Sequence, residues 1–324
     1  MGQPRAAGPT AIAISSLTKR YGDKLALDGV RLEVAPGEVV AVLGPNGAGK
    51  TTLIELLLGM RTPTSGTVEV FGAGPSSRAV KSRVGAMLQD TDAPDGLTVR
   101  EIVTLVSSYY PVGIPVAEAL GRADLTDHAR KKTSELSGGL RQRLSFAMAI
   151  VGDPDLMYLD EPTASLDVAA RREFWAQVRG FAGLGKTILF STHNLAEADE
   201  FAQRLVLLDN GRIILDSTPE AAKRLVAGRR VALTTDAPLD VLTTTEGVIH
   251  AEFDAGEQPP AGASPGTARA AVVRCNSPEA LLRKLFTQGW EVAELTVTEA
   301  SLEDAFLHLT APAARPKTND GGIP

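Results

Sequence analysis

The sequence is poor in cysteine and in long apolar runs. Cys275 is the only cysteine among 324 residues, so the chain can form neither an internal disulfide nor a cysteine-based metal cluster, and a reducing compartment is favoured. The apolar stretches, such as 53–60 and 146–151, fall far short of the ~20 residues that a membrane-spanning helix needs. We therefore expect a chain that does not itself cross a bilayer.

Positive charge is also in deficit. The 33 lysine and arginine residues are outnumbered by 39 aspartate and glutamate residues, which gives a net charge of −6. This balance provides no overall attraction to nucleic-acid phosphates, so we expect no nucleic-acid partner. The first ten residues lack the apolar core of a secretory signal, and we expect residues 1–10 to form a disordered arm.

The pattern of apolar residues predicts two domains. Between 11 and 227, short apolar runs alternate with longer amphipathic ones, which indicates an α/β domain with buried strands. A segment of about 90–145 has no clear strand and predicts a helical insert. Residues 228–311 predict a small α+β accessory domain, and residues 312–324 a disordered tail. The strands expected in the first domain are 39–43, 67–70, 84–88, 156–159, 187–190 and 205–208.

One segment has the pattern of a phosphate-binding loop. The apolar run 39–43 is followed by Gly44-Pro45-Asn46-Gly47-Ala48-Gly49-Lys50-Thr51-Thr52 and then by an apolar helix, which matches GxxxxGK[ST] between a strand and a helix. The glycines let backbone N–H groups surround a phosphate, Lys50 can reach the β- and γ-phosphates, and the Thr51 hydroxyl can hold Mg²⁺. The candidate nucleotide-binding residues in this loop are Gly44, Asn46, Gly47, Gly49, Lys50, Thr51 and Thr52.

A second segment places two carboxylates at the end of an apolar strand. Asp160 and Glu161 directly follow the run 156–159. We expect Asp160 to bind Mg²⁺ through water and Glu161 to polarise the attacking water. The alternative is that the two acids only mark a solvated end of the strand. The phosphate loop in the same chain disfavours this alternative.

A third segment predicts another anion-binding helix start. Ser137, Gly138 and Gly139 precede a helix with apolar residues at helical spacing, so a hydroxyl and backbone N–H groups would meet at its N-terminus. A capped helix without a ligand is the alternative. If this segment lies on the helical insert, far from the first loop, two copies facing head to tail would let each lend its serine segment to the other's nucleotide.

Taken together, these segments resemble the ATPase subunit of an ATP-binding cassette (ABC) transporter over about residues 14–225. The resemblance implies a P-loop ATPase core of ABC type, with ATP and Mg²⁺ as cofactors. It also implies that Tyr21 stacks on adenine and that Gln89 contacts Mg²⁺ and the water. By the same resemblance, the signature segment 137–139 closes on the partner subunit's ATP, and His193 contacts the γ-phosphate.

Two parts of the chain depart from the family pattern. Leu140 stands where the family usually has glutamine, and Gln142 follows two residues later, so no polar role falls to Leu140. The C-terminal unit lies outside the ATPase pattern. Its ending, 301–307, is similar to the tail of a subfamily of drug-export ATPases.

The resemblance implies a function in transport. Two copies would form a homodimer around MgATP, hydrolyse it and drive a separate transmembrane permease, which would hold the chain at the cytoplasmic face of the cell membrane. We expect the contact with the permease within 89–132. The likeness to drug-export ATPases favours export of a hydrophobic small molecule or drug.

Three other functions stay open at this point. A nucleotide kinase also has a phosphate loop, but it would have no use for the signature segment or for His193. A soluble, non-transport ABC ATPase in translation or DNA repair is the second. The third is a partly regulatory protein whose C-terminal module senses a ligand or dimerises.

Overall fold

The computed structural model describes residues 10–88, 94–164, 166–225, 228–253, 268–299 and 301–310. The expected arm 1–10, except for Thr10, and the expected tail 312–324 lie outside these ranges. So do Gln89 and Ser165. Contacts within the chain divide it into two compact units between Pro219 and Glu220, ahead of the boundary that the sequence predicts between 227 and 228.

The first unit alternates strands and helices. Its strands are β1 (Ile12–Tyr21), β2 (Lys24–Val34), β3 (Val39–Leu43), β4 (Ser65–Val70), β5 (Val84–Met87), β6 (Leu156–Asp160), β7 (Thr187–Ser191), β8 (Arg204–Asp209) and β9 (Arg212–Ser217). Its helices are α1 (Lys50–Leu57), α2 (Arg78–Lys81), α3 (Val99–Ser107), α4 (Val116–Arg122), α5 (Gly138–Ile150), α6 (Val168–Ala182) and α7 (Leu195–Phe201), while α8 (Pro219–Arg224) begins at the boundary.

A six-stranded sheet positions the predicted site. Its strand order is β5-β6-β7-β3-β8-β9, with β9 antiparallel to β8 and the other pairs parallel. Every residue of β3, β6 and β7 is buried, as expected for strands covered on both faces. Ser191 pairs in register with Asp160 on one side and with Val42 on the other. The carboxyl ends of these three strands therefore meet at one edge of the sheet.

The sequence prediction missed three strands of the first unit. β1 and β2 form an antiparallel sheet with β4, in the order β2-β1-β4, and β9 forms the edge of the large sheet. The pairing of β1 with β2 shifts register at three places, and Ser16 has a φ of 47°. Such irregularities break the alternation of apolar and polar residues by which a half-buried strand is recognised.

The predicted insert is helical in its described part. Between 94 and 150 the structure has α3, α4, α5 and two short 3₁₀ helices, Thr126–His128 and Thr133–Glu135, with one isolated antiparallel bridge joining Thr98 to Lys132. Thr98 and Glu101 form a capping box at the start of α3. Among the described residues, no helix combines the length and apolarity needed to cross a membrane.

Aromatic packing joins α6 and α7 to the sheet. The Trp175 ring stacks on Phe201 of α7 with 4.5 Å between ring centroids, and it meets Phe190 of β7 edge-on at 4.8 Å. Phe174 contacts Phe146 of α5 at 5.6 Å. Large aromatic side chains contribute most to burial in such clusters, so this packing fixes α7 against the strand that precedes His193.

The second unit is a small α+β domain, as the sequence predicts. Its antiparallel sheet has the order β11-β12-β10-β13, and Leu281 and Leu285 pack into its core. Its elements are β10 (Arg229–Thr235), α9 (Leu239–Thr243), β11 (Val248–Phe253), β12 (Arg269–Cys275), α10 (Pro278–Gln288), β13 (Val292–Thr298) and α11 (Leu302–Thr310).

Candidate functional site

The predicted phosphate loop has a shape that requires glycine. Gly44, Gly47 and Gly49 all have positive φ, at 153°, 82° and 109°. A Cβ on Gly44 would lie 2.2 Å from the Leu208 carbonyl oxygen, and a Cβ on Gly49 would lie 2.5 Å from that of Ala26. Side chains are thus excluded on conformational and steric grounds, and the bare backbone fits a close approach to phosphate.

Lys50 begins α1 directly after this loop and is only 6% exposed. Its ammonium donates hydrogen bonds to the carbonyl oxygens of Gly44, at 2.7 Å, and Pro45, at 3.2 Å. Burial lowers the pKa of Lys50, although the negative charges of Glu161 and Asp160 act in the opposite direction. The site therefore holds a desolvated positive charge that further anionic groups, such as phosphates, would stabilise.

Asp160 is the last residue of β6, and Glu161 directly follows the strand. Asp160 is buried and accepts a hydrogen bond from the Ser191 hydroxyl. That hydroxyl in turn accepts from the backbone N–H of Glu161 at 3.0 Å. Glu161 has a φ of 48°, an uncommon conformation for a residue with a side chain, and such outliers concentrate at functional sites.

The Glu161 carboxylate lies between the side chains of Lys50 and His193, the two residues predicted to contact the γ-phosphate. Its Oε1 is 3.9 Å from Nζ of Lys50, and its Oε2 is 3.2 Å from Nδ1 of His193. His193 follows β7 after Thr192 and is exposed, whereas Lys50 is buried. The fold thus brings together three residues that are far apart in sequence and that the sequence analysis assigned to one site.

Ser137 caps α5, the helix that carries the signature segment. Its hydroxyl accepts a hydrogen bond from the backbone N–H of Leu140 at 3.4 Å, and Gly138 and Gly139 form the first helical positions. Ser137 and Gly138 are exposed. Among the residues that the structure describes, no hydrogen bond or ion pair links 137–139 to Lys50 or Glu161. The exposure of Ser137 and Gly138 leaves the start of α5 accessible to a ligand.

Gln142 has a role that the sequence did not reveal. Its side-chain amide donates a hydrogen bond to the carbonyl oxygen of Pro162, the residue after Glu161. Leu140, which stands at the family's usual glutamine position, is half-buried. The glutamine two residues on thus joins the signature helix to the segment that carries Glu161.

Tyr21, the predicted adenine-stacking residue, ends β1 with an exposed ring. The Lys19 ammonium lies 4.9 Å from the centroid of this ring. The exposure leaves ring surface available for stacking on a base.

The donor set suits a magnesium ion that is shared with phosphates. Within the described ranges, no group of three or more histidine, cysteine, aspartate or glutamate residues could hold a metal alone. Mg²⁺ is usually bound through one or two protein oxygens, water and substrate phosphates. The exposed Thr51 hydroxyl at the start of α1 and the Asp160 carboxylate at the end of β6 fit such an arrangement. Gln89, the other predicted ligand, lies outside the described residues.

Four further residues near the site were missed by the sequence analysis. The Ser191 hydroxyl contacts Asp160, and Thr192 directly precedes His193. Glu197 is a buried acid on α7 that accepts hydrogen bonds from the Thr163 and Thr192 hydroxyl groups. A usable signal was present, because Ser191 and Thr192 stand between an apolar strand and a predicted site histidine. The role of Glu197 had no local signal, since its partners come from other parts of the chain.

Comparison with known proteins agrees with the sequence resemblance. Residues 27–164 match the family described as ABC transporter. The chain is 36% identical over 320 residues to the daunorubicin resistance ATP-binding protein DrrA3 of Streptomyces coeruleorubidus, covering 95% of this chain and 98% of that protein. It is 41% identical over 217 residues to the Nod factor export ATP-binding protein I of Burkholderia orbicola, covering 65% of this chain and 71% of that protein.

A solved structure shows the same fold in the first unit. It is the dimeric, post-hydrolysis state of an ATP-binding cassette bound to ADP and Pi. The TM-score is 0.59 at 26% identity, covering 64% of this chain and 98% of that one. The near-complete match to DrrA3 and the strand-loop-helix geometry around Lys50 lead to one conclusion. The chain belongs to the ABC transporter family, as an ATP-binding subunit of the ABC ATPase type.

Proposed function

We propose that two copies of this chain bind MgATP between them, hydrolyse it and thereby power a separate membrane permease that exports a hydrophobic small molecule. The observation that carries this proposal is the placement of the Glu161 carboxylate between Lys50 and His193. A general base within reach of a site for the terminal phosphate is what hydrolysis requires.

Each residue of this cluster has a distinct task in the proposal. Lys50 holds the β- and γ-phosphates, and Glu161 orients and polarises the water that attacks the γ-phosphate. Glu161 lies between Lys50 and His193, so His193 contacts the γ-phosphate from the side opposite to Lys50. Bound Mg²⁺ would neutralise phosphate charge, with Thr51, Asp160 and Gln89 as its protein ligands. The hydrogen bond from the Ser191 hydroxyl orients the Asp160 carboxylate.

The proposed dimer rests on the presence of two anion-binding segments in one chain, the phosphate loop and the exposed start of α5. Ser137 and the N–H groups of Gly138 and Gly139 would bind the γ-phosphate held by the loop of the other copy, in a head-to-tail arrangement. The related cassette bound to ADP and Pi is itself dimeric, which supports this proposal. Tyr21 would stack on the adenine of the nucleotide that its own chain's loop binds.

The permease contact is proposed on the helical insert. Tyr109 and Val112 follow α3 and are 74% and 76% exposed, and Leu105 on the same helix is 43% exposed. Apolar side chains grouped on a surface in this way are typical of protein interfaces. Binding there would place the chain at the cytoplasmic face of the cell membrane.

The transported compound is proposed from the relatives. The protein that matches almost the whole chain, including the second unit, is named for daunorubicin resistance, and the other relative is named for Nod factor export. Export of a hydrophobic drug or a similar small molecule is therefore the function we favour. The alternative is a non-transport ABC ATPase in which the second unit is regulatory.

The proposal is tested by the variant Glu161→Gln in the full chain. It should retain ATP binding, whereas hydrolysis should fall roughly 10² to 10⁴-fold because the water-polarising group is lost. Glu200→Gln, an exposed acid on α7, is the control and should hydrolyse ATP like the parent. Parental hydrolysis by Glu161→Gln would remove this residue from the mechanism. Co-purification with a permease, and ATP-dependent drug export from vesicles that contain both, separate the transport function from the alternative.

A further inference from the structure

A buried carboxylate lies behind the candidate site. Glu197, on the first turn of α7, has a side chain that is only 4% exposed. One carboxylate oxygen, Oε1, accepts a hydrogen bond from the Thr163 hydroxyl, and the other, Oε2, accepts one from the Thr192 hydroxyl at 3.0 Å. Both hydroxyl groups are buried as well. Burying a carboxylate is unfavourable unless its oxygens are hydrogen-bonded or paired with a charge. The two threonine hydroxyl groups meet this need for Glu197.

The two hydroxyl donors belong to the segments that carry the site. Thr163 stands two residues after Glu161, and Thr192 directly precedes His193. The Thr192 hydroxyl also accepts a hydrogen bond from the backbone N–H of Asn194 at 2.9 Å, which closes a tight turn around His193. One carboxylate thus bridges the segment after β6 and the turn after β7, whose side chains meet at 3.2 Å in the site.

The position of Glu197 is set by helix packing that does not depend on these hydrogen bonds. One turn further along both helices, Trp175 of α6 stacks on Phe201 of α7. At the level of Glu197, the Arg171 Nε lies 3.3 Å from Oε1, and its Nη2 donates to the Leu166 carbonyl oxygen at 3.4 Å. The carboxylate is therefore a fixed point to which the two site segments are attached.

We propose that Glu197 is a positioning residue for ATP hydrolysis, which holds His193 and Glu161 at the separation that the reaction needs. The inference rests on the proposed function, since it assigns to Glu197 the geometry of that same site. Glu197 touches no reacting atom and acts through Thr192 and Thr163. Both of its oxygens are required as acceptors. A glutamine offers only one acceptor oxygen and an NH₂ donor in place of the other, so one of the two threonine hydroxyl groups loses the acceptor for its hydrogen.

The first test is Glu197→Gln in the full chain, with Glu200→Gln on the exposed side of α7 as the matched control. We expect kcat to fall by about tenfold or more, because small misplacements of reacting groups carry large rate losses. The KM for ATP should change by less than about twofold, since no phosphate contact is removed. The control should match the parent. A parental kcat for Glu197→Gln beside an inactive Glu161→Gln would overturn the positioning role and leave the proposed function intact.

A second test asks whether Glu197 acts through His193. When combined with His193→Ala, Glu197→Gln should reduce kcat by a smaller factor than it does in the parent, because the part of its effect that passes through His193 is already lost. Fully multiplicative losses would overturn the inference. Thr192→Val removes one hydroxyl donor and should reproduce the loss. Thr187→Val is the control for this variant, because it removes the acceptor of a 2.9 Å hydrogen bond at the other end of β7. It should leave kcat at the parental value.

A third test needs no hydrolysis, and it also covers the possibility that Glu197→Gln folds poorly. Histidine is labelled for NMR, and the signal that disappears in His193→Ala is assigned to His193. The variants Thr192→Val and Glu197→Gln should shift or broaden this ring signal. Thr187→Val and Glu200→Gln should leave it unchanged. An unaltered His193 signal in both site variants would overturn the positioning role, whether or not the parent chain hydrolyses ATP.

Discussion

Lys50 and Glu161 form an ion pair inside the candidate site, with 3.9 Å between Nζ and Oε1. The lysine is buried, and its other partners are two carbonyl oxygens of the loop. Glu161 is therefore part of what compensates the charge of the buried lysine.

The ion pair leads to a prediction about pH. Burial lowers the pKa of Lys50 below 10.5, against the charges of Glu161 and Asp160. Because the folded-state pKa is below the unfolded one, burying the charged lysine reduces stability at all pH values below the folded pKa. This penalty disappears as the pH rises towards 10.5. The free energy of unfolding of the parent without added nucleotide, relative to Lys50→Met, should therefore increase as the pH rises from the folded-state pKa of Lys50 towards 10.5. Urea unfolding of both proteins measures it, and a constant difference would contradict the pKa shift.

The shared site predicts complementation between two defective chains. Lys50→Ala should weaken ATP binding by about tenfold or more through loss of a charged phosphate contact, and Ser137→Arg should block the signature segment. In a head-to-tail dimer, mixing them creates one site with both Lys50 and Ser137 intact. About a quarter of the parental ATPase rate should return, because about half of the dimers are mixed and each has one intact site. If mixed dimers form, as shown by differently tagged chains, and remain inactive, the head-to-tail arrangement is contradicted.

The surface formed by Tyr109 and Val112 is predicted to bind the permease. The double substitution of both residues by serine should leave the ATPase rate of the isolated chain unchanged, because neither side chain belongs to the site. Co-purification with the permease should be lost. Leu184→Ser, which also replaces an exposed apolar side chain by serine and lies after α6, is the control. If the double variant co-purifies like the parent, the contact lies elsewhere.

The last helix of the second unit provides a prediction about stability. Burial raises the pKa of Asp304, but hydrogen bonds from Ser301 and from Arg274, at 3.0 Å, outweigh this effect, so the net shift is downward. With a folded-state pKa below 3.8, the stabilisation is present above that pH and is lost as the pH falls through the folded value.

Asp304→Asn should therefore weaken α11 by about 1 kcal/mol at neutral pH. The amides of 301–310 should exchange hydrogen faster in the variant, as measured by mass spectrometry. Glu303→Gln on the same helix is the control. Equal exchange in Asp304→Asn and the parent would show that the Ser301–Asp304–Arg274 cluster does not hold the helix.

The parts of the fold that the sequence predicts are those with a strong local signal. The buried strands β3, β6 and β7 are continuous apolar runs, and the loop before α1 has a fixed spacing of glycine and lysine. The sequence analysis did not predict β1 and β2, because their pairing is bulged and their buried and exposed residues alternate irregularly. β9 is a half-exposed edge strand whose residues pair with β8 after a register shift.

The same distinction applies to the residues of the candidate site. Residues that belong to a short motif, such as Lys50 and Glu161, could be named from the sequence. Gln142 and Glu197 could not, because their importance comes from partners in other elements, Pro162 for the first and Thr163 and Thr192 for the second. Such tertiary hydrogen bonds leave no pattern in the neighbouring sequence.

The tight fit of Gly44 and Gly49 has a consequence for how the protein tolerates change. The phosphate loop is wedged between the Leu208 carbonyl of β8 and the Ala26 carbonyl of β2, so its curvature is dictated by two different sheets. A substitution in β2 that moves the Ala26 carbonyl would therefore change the backbone around Gly49, and we expect it to alter nucleotide affinity although it replaces no residue of the loop itself.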